Sequence, residues 1–126
     1  MAENNQINNF ENGSVNISNE VIEIIATIAT KEIEGVCGLY GNISDNIGEL
    51  FKKNNYKRGV KIQLTDENIV IDLDIIVDFG VKIPDVSWSV QEAVKSSIEN
   101  MTGLKVTEVN IHVEGIKEKK ENKENK

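Results

Sequence analysis

The sequence predicts an α+β domain, built as a two-layer sandwich in which a mixed β-sheet carries two main helices on one face. In residues 68–80 (NIVIDLDIIVDFG), every odd position is apolar and three even positions are aspartate, the period-2 pattern of a half-buried strand. One segment on each side of this strand repeats its apolar residues at helical spacing. The predicted order of elements is β-α-β-(short α)-β-β-α-β.

Length and composition predict one folded domain with two tails. A chain of 126 residues fits a single domain. Residues 1–12 and 117–126 are polar and poor in large apolar side chains, so they cannot offset the entropy of ordering and are expected to be disordered. The predicted α+β domain therefore spans residues 13–116.

Charge and cysteine content indicate which partners and which cellular compartment to expect. The formal net charge of −7 disfavours non-specific attraction to nucleic acid. The single cysteine, Cys37, excludes an internal disulfide and fits a reducing compartment. Neither a signal peptide nor an apolar run near the roughly 20 residues of a membrane span occurs, so we expect a cytoplasmic protein with no direct membrane span.

The first half of the chain predicts a strand, a helix and a second strand. Residues 14–17 (SVNI) fit a short strand, and Ser18 stands where a helix N-cap belongs. The helix ends at Gly35, a suitable C-terminal residue, and its apolar stripe consists of Val21, Ile22, Ile25, Ile28, Ala29 and Ile33. Residues 36–40 (VCGLY) predict the second strand, and residues 43–55 predict a short helix.

Residues 59–65 and 68–80 predict a β-hairpin. If residues 66–67 form a two-residue turn, Thr65 pairs with Asn68, and Lys61 then lies opposite Asp72. This register sets apolar side chains against each other on one face and opposite charges against each other on the other face.

A second amphipathic helix is predicted from Pro84 to the stop at Gly103, followed by a strand over residues 104–113. The order of strand, helix and strand implies a right-handed crossover between two parallel strands. The apolar stripe of this helix consists of Val86, Val90, Ala93, Val94, Ser97, Ile98 and Met101.

One face of the second hairpin strand carries three carboxylates, Asp72, Asp74 and Asp78, which could form an acidic metal-binding cluster. The alternative is a solvated face with Lys61 as a cross-strand partner, and the lack of a second converging motif favours it. His112 and Glu114 join this face only if the last strand is a neighbour. We therefore predict no metal site and no cofactor.

Two other patterns have simple structural explanations. Cys37 and His112 could form a nucleophilic pair, but neither has an activating neighbour in the sequence, so no catalytic residue is predicted. Residues 35–38 (GVCG) match the GXXG of a KH domain. A helix cap followed by a strand glycine explains them more simply, and RNA binding stays an alternative function.

Trp88 points almost directly away from the apolar stripe of the second helix on a helical wheel. It is either a contact for a partner, since tryptophan is common at interfaces, or a ring folded onto the bend at residues 80–84 or onto the neighbouring helix. The polar residues Gln91, Glu92 and Lys95 complete the predicted partner-binding surface.

Six segments, in order, resemble the alkaline shock protein family of Gram-positive bacteria. They are residues 13–22 (GSVNISNEVI), 29–36 (ATKEIEGV), 59–61 (GVK), 83–86 (IPDV), 99–104 (ENMTGL) and 106–115 (VTEVNIHVEG). Together they cover nearly all of the predicted domain. The asparagine-rich head and Trp88 depart from the family's pattern.

The resemblance implies a non-enzymatic interaction or scaffold protein that acts by protein–protein contact. The family implies a cytoplasmic protein that accumulates under envelope or alkaline stress. Such a protein can be held at the inner face of the membrane by a separate anchoring protein, and it can self-associate. Other members are encoded beside lipid-synthesis genes, which leaves an accessory role in lipid metabolism as a further alternative.

Overall fold

The computed structural model describes residues 4–10, 13–41, 59–65 and 68–118. The short helix predicted over residues 43–55 and the turn predicted at residues 66–67 lie outside the described residues. The described part of the chain contains six strands and two helices: β1 (Asn4–Phe10), β2 (Gly13–Ser18), α1 (Asn19–Lys31), β3 (Val36–Leu39), β4 (Val60–Thr65), β5 (Asn68–Asp78), α2 (Ile83–Thr102) and β6 (Lys105–Lys117).

β5 is the central strand of the main sheet. β6 runs parallel to β5 along one side, while β4 and β3 pair antiparallel with successive parts of its other side. The predicted hairpin register is confirmed, because Thr65 pairs with Asn68 and Lys61 with Asp72. The parallel pairing of β5 and β6, which α2 connects, confirms the predicted crossover between parallel strands.

The odd-numbered side chains of β5 form one wall of the core. Ile71, Leu73, Ile75 and Val77 are fully buried, and Ile69 is 2% exposed. Burial contributes about 1.5–3 kcal/mol for each aliphatic side chain of this size, so this face must be covered. Both helices cover it, through Ile22, Ile25, Ala26 and Ala29 of α1 and Val86, Val90, Val94 and Ile98 of α2. The predicted two-layer arrangement is therefore confirmed.

α1 begins as predicted but ends earlier, at Lys31 with Glu32 as its C-cap, and residues 32–35 form a turn that Gly35 closes. The Val21 N–H donates to Ser18 Oγ at 3.3 Å, which makes Ser18 the N-cap. Gly35 has a φ of +101°, and a Cβ at this position would approach Val86 Cγ2 to 2.9 Å. Glycine therefore lets the chain turn after α1 and lets α2 pack close to the turn. Gly35 lies in the turn between α1 and β3, and Gly38 is buried within β3, so a turn glycine and a strand glycine account for residues 35–38.

α2 has Pro84 in its first turn and Gly103 as its C-cap. Gly103 is left-handed at a φ of +79°, and its N–H donates to the Glu99 carbonyl at 2.9 Å. The Leu104 N–H then donates to Thr102 Oγ1 at 3.0 Å. These bonds end the helix and direct the chain back along β5.

The N-terminal residues differ from the prediction. Composition predicts disorder for residues 1–12, yet Asn4–Phe10 forms β1, which pairs antiparallel with β2 in a separate two-stranded sheet. Strand pairing uses backbone groups that nearly every residue carries, so a segment poor in apolar side chains can be ordered by a neighbouring strand. β6 also continues to Lys117, beyond the predicted end at residue 113.

Candidate interaction surface

β6 is an edge strand within the part of the chain that the structure describes, because it pairs only with β5. Such an edge presents backbone N–H and C=O groups without strand partners. Side chains of α2 bind these groups in the first part of β6. The Val106 N–H donates to Glu99 Oε2 at 2.9 Å, and Lys95 Nζ donates to the Val106 carbonyl at 3.4 Å. Gln91 Nε2 donates to the Val109 carbonyl at 2.9 Å. We call residues 105–109 the covered edge.

The rest of β6 has an edge that no described side chain binds. Pairing with β5 is regular from residue 109 to residue 113. The backbone groups of Ile111 and Val113 therefore point to the same side as the Val109 carbonyl, away from β5. We call residues 110–117 the open edge.

Trp88 lies where the covered edge meets the open edge. Lys95 follows it by seven residues, nearly two helical turns, so the two side chains leave the same side of α2. The contacts of Lys95 and Gln91 show that α2 runs antiparallel to β6. One turn before Gln91, Trp88 is about level with Ile111. Trp88 is 62% exposed, so most of its surface faces solvent.

The four residues predicted to bind a partner divide into two pairs. Gln91 and Lys95 bind β6, and Lys95 also forms an ion pair with Glu99 at 2.9 Å. Trp88 and Glu92 face solvent. That these residues contact a partner stays a prediction.

Asp85 belongs to the same surface, although sequence reasoning did not single it out. It precedes Trp88 by three residues and Glu92 follows by four, the two spacings that make side chains neighbours on a helix. Both carboxylates are exposed, and neither bonds to a described side chain. We call Asp85, Trp88, Glu92 and the open edge together the Trp88 surface.

Glu99 is held in its charged form by the contacts that cover the edge. The hydrogen bond from the Val106 backbone lowers the pKa of the Glu99 carboxyl below its ordinary value of 4.5, and the Lys95 side chain lowers this pKa further. At neutral pH the covered edge is therefore bound by an ionised acceptor, which forms stronger hydrogen bonds than a neutral one.

The face of the sheet opposite the helices carries a polar depression of about 220 Å³. It is lined by Gly59, Val60, Lys61, Asp72, Asp74 and His112. Register places His112 opposite Asp74, so the last strand does bring this histidine onto the aspartate face. His112 Nε2 lies 3.5 Å from Asp72 Oδ1, which also accepts a hydrogen bond from Asn110 Nδ2 at 3.1 Å. Cys37 does not line the depression, and the described residues hold no group of three His, Cys, Asp or Glu side chains suited to a metal ion.

An apolar groove of about 380 Å³ lies between α1 and α2. Its lining includes Val21 and Met101, which the sequence assigns to the apolar stripes of the helices but which are 44% and 69% exposed. A helical stripe can be wider than the surface it packs against, so residues at its margin stay in water. Despite these exposed apolar groups, the described part of the chain has no helix with the length and apolarity to cross a membrane.

Comparison with known proteins gives the family of the chain. Residues 7–118 match the alkaline shock protein 23 family, described as having a cell envelope-related function. The chain belongs to this family. The match confirms the resemblance carried by the six sequence segments. In this alkaline shock protein, the matched region starts within β1 and ends just after β6, so it contains the whole Trp88 surface.

Relatives of this alkaline shock protein occur in Gram-positive bacteria. The uncharacterized protein YqhY of Bacillus subtilis (strain 168) is 47% identical over 104 residues, which are 82% of this chain and 77% of YqhY. YloU of the same strain, also uncharacterized, is 39% identical over 107 residues, 83% of this chain and 89% of YloU. A Streptococcus pyogenes protein named stress response regulator gls24 homolog is 28% identical over 110 residues, 86% of this chain and 62% of that protein. None of these three names describes an enzyme.

Among solved structures, the MamM CTD aligns with 77% of this chain and 95% of its own chain. The TM-score is 0.49 and the sequence identity is 14%. A likeness of this degree says nothing about the function of the alkaline shock protein.

Proposed function

We propose that this protein is a non-enzymatic interaction protein of the cell-envelope stress response, which binds a protein partner through the Trp88 surface. The position of Trp88 carries the proposal, because this residue is 62% exposed and precedes by one helical turn Gln91, which binds the edge strand β6. Tryptophan combines a large apolar area with an N–H donor, and it is frequent among interface residues whose truncation costs about 2 kcal/mol or more.

The open edge supports the same proposal. An uncovered strand edge pairs readily with strands of other proteins, and peptide-binding domains use this property. In this chain, α2 binds the backbone of Val106 and Val109 and leaves residues 110–117 open. The Trp88 surface therefore combines apolar area with backbone hydrogen-bonding groups that no described side chain binds, and a partner could contact both.

The family supports an envelope location for the partner, since its function is described as cell envelope-related. We place the protein at the cytoplasmic face of the membrane, held there by a membrane-anchored protein. The stress role is supported by the relative named as a stress response regulator gls24 homolog.

Chemical crosslinking in intact cells tests the proposal. The protein is purified under denaturing conditions from cells that carry Trp88→Ala, Tyr40→Ala or the unchanged chain. Tyr40 is a matched control, because it is an aromatic residue that is 55% exposed and lies on the other side of β5 from β6. We expect the crosslinked partner to be lost with Trp88→Ala and kept with Tyr40→Ala.

Thermal unfolding of the purified variants separates binding from folding. An exposed side chain contributes little to the core, so Trp88→Ala should change stability by no more than about 0.5 kcal/mol. A crosslinked partner that survives Trp88→Ala would contradict the proposal. A variant that loses its partner because it no longer folds would show that Trp88 is structural.

A further inference from the structure

We infer that the partner binds the Trp88 surface as an extended strand that sets an arginine or lysine side chain over the Trp88 ring. This inference rests on the proposed function and adds the conformation and the chemistry of the bound segment.

The backbone of the open edge determines the conformation. Ile111 and Val113 each point an N–H and a C=O away from β5, so they offer two donors and two acceptors in a row. These donors and acceptors are spaced as in a strand, so the backbone of another extended chain can form hydrogen bonds with all of them. A helix cannot match it, because its backbone groups already bond within the helix. α2 closes the edge before residue 110, so the added strand pairs with residues 110–117.

The side chains around Trp88 determine the charge of the bound segment. An exposed tryptophan face attracts a cation, which is most favourable when anionic groups lie nearby. Asp85 and Glu92 supply these groups, since they flank Trp88 at helical spacing and face solvent. A cationic side chain that projects from the added strand towards α2 meets the ring and both carboxylates together.

A second copy of this chain fits the surface less well. Each copy has a formal net charge of −7. A second copy would bring a net negative charge to a surface that already carries Asp85 and Glu92, and like charges repel. A cationic partner strand avoids this repulsion.

Labelled peptides and the full chain test the inference by fluorescence anisotropy. The first peptide alternates arginine and threonine over about eight residues, a usual strand length. The second has glutamate in place of arginine. The third is the arginine peptide with N-methyl groups on its central peptide bonds, which removes the hydrogens that strand pairing needs. We expect only the first peptide to bind.

Variants of the chain locate the binding. Trp88→Ala should weaken binding of the arginine peptide about tenfold or more, and Glu92→Gln should weaken it about threefold. Glu32→Gln is the matched control, because it removes the same charge at the apolar groove, which Ser97 and Met101 line on the opposite side of α2. This variant should bind like the unchanged chain.

Each other outcome overturns the inference. If the arginine peptide does not bind, the inference that the partner segment is cationic is wrong. If the N-methylated peptide binds equally well, the inference that the segment pairs as a strand is wrong. Equal weakening by Glu32→Gln and Glu92→Gln would indicate attraction to the net charge alone. Sedimentation that shows a dimer which Trp88→Ala dissociates would assign the surface to a second copy. If the arginine peptide fails while Trp88→Ala still abolishes crosslinking in cells, the proposed function stands without this strand chemistry.

Discussion

Gln91 Nε2 donates to the Val109 carbonyl at 2.9 Å, and along β6 this is the last hydrogen bond from a side chain of α2 to the described edge. Lys95 and Glu99 bind the strand before it. A helix therefore takes the place of a neighbouring strand along part of the edge and leaves the rest open. Covering an edge in this way limits uncontrolled strand pairing, which is the usual hazard of edge strands.

Gln91→Ala should destabilise the protein by about 1 kcal/mol, because it removes the hydrogen bond to the Val109 carbonyl. The measurement is the free energy of unfolding in urea. Glu92→Ala is the control, since Glu92 is the next residue of the helix but is exposed, and it should change stability by about 0.5 kcal/mol or less. Equal stability of the two variants would show that the bond contributes nothing.

Glu99 should make stability depend on pH in the acid range. Its pKa is lowered in the folded protein, first by the Val106 N–H and then by Lys95. The contribution is therefore fully present above the ordinary pKa of 4.5 and is lost as the pH falls through the lower folded-state pKa. Glu99→Gln should cost about 0.5 kcal/mol near pH 7 and almost nothing once both states are protonated. Urea unfolding at several pH values measures this difference, and a cost that does not change with pH would contradict it.

Amide hydrogen exchange should alternate along the open edge. The N–H groups of Asn110 and His112 face β5, whereas those of Ile111 and Val113 face outward. We expect the outward pair to exchange at least about tenfold faster than the inward pair in the isolated protein, because only the inward amides are hydrogen-bonded in the ladder. NMR measures each amide separately. Equal protection of all four would mean that the edge is already covered.

Gly35→Ala should destabilise the protein more than Gly80→Ala. Both glycines have a φ near +100°, at +101° and +99°, so both substitutions carry a backbone cost of about 1 kcal/mol. A Cβ at residue 35 would also lie 2.9 Å from Val86 Cγ2, whereas nothing lies within 4 Å of a Cβ at residue 80. We expect a further cost of about 1–3 kcal/mol for Gly35→Ala. Thermal unfolding measures the loss of stability of each variant. Equal losses would show that α2 shifts to accommodate the added methyl group at residue 35.

Most of the fold could be predicted because its determinants are local and periodic. The alternation of β5 and the assumed two-residue turn set the pairing of Thr65 with Asn68, since a slip of one residue would turn the apolar side chains to solvent. Gly103 likewise marks a helix end, and Gly35 marks the turn after α1, through a backbone conformation that other residues adopt at a cost.

The candidate site could be predicted only in part. The helical wheel of α2 placed Trp88 opposite the apolar stripe, because that property depends on the period of one helix, but it did not decide between a partner contact and a ring folded onto the bend at residues 80–84. The contact of Gln91 with Val109 joins two elements and leaves no periodic signal in the sequence. Met101 shows the reverse case, since its place in the apolar stripe predicts burial while its partner helix leaves it 69% exposed.

Photo-crosslinking from position 88 in intact cells tests the central claim most directly. A benzophenone amino acid at this position keeps an aromatic side chain beside the open edge, and the same amino acid in place of Tyr40 is the matched control. We expect a protein partner to be attached from position 88 and not from position 40. Attachment from position 40 alone, or to the same extent from both positions, would contradict binding through the Trp88 surface.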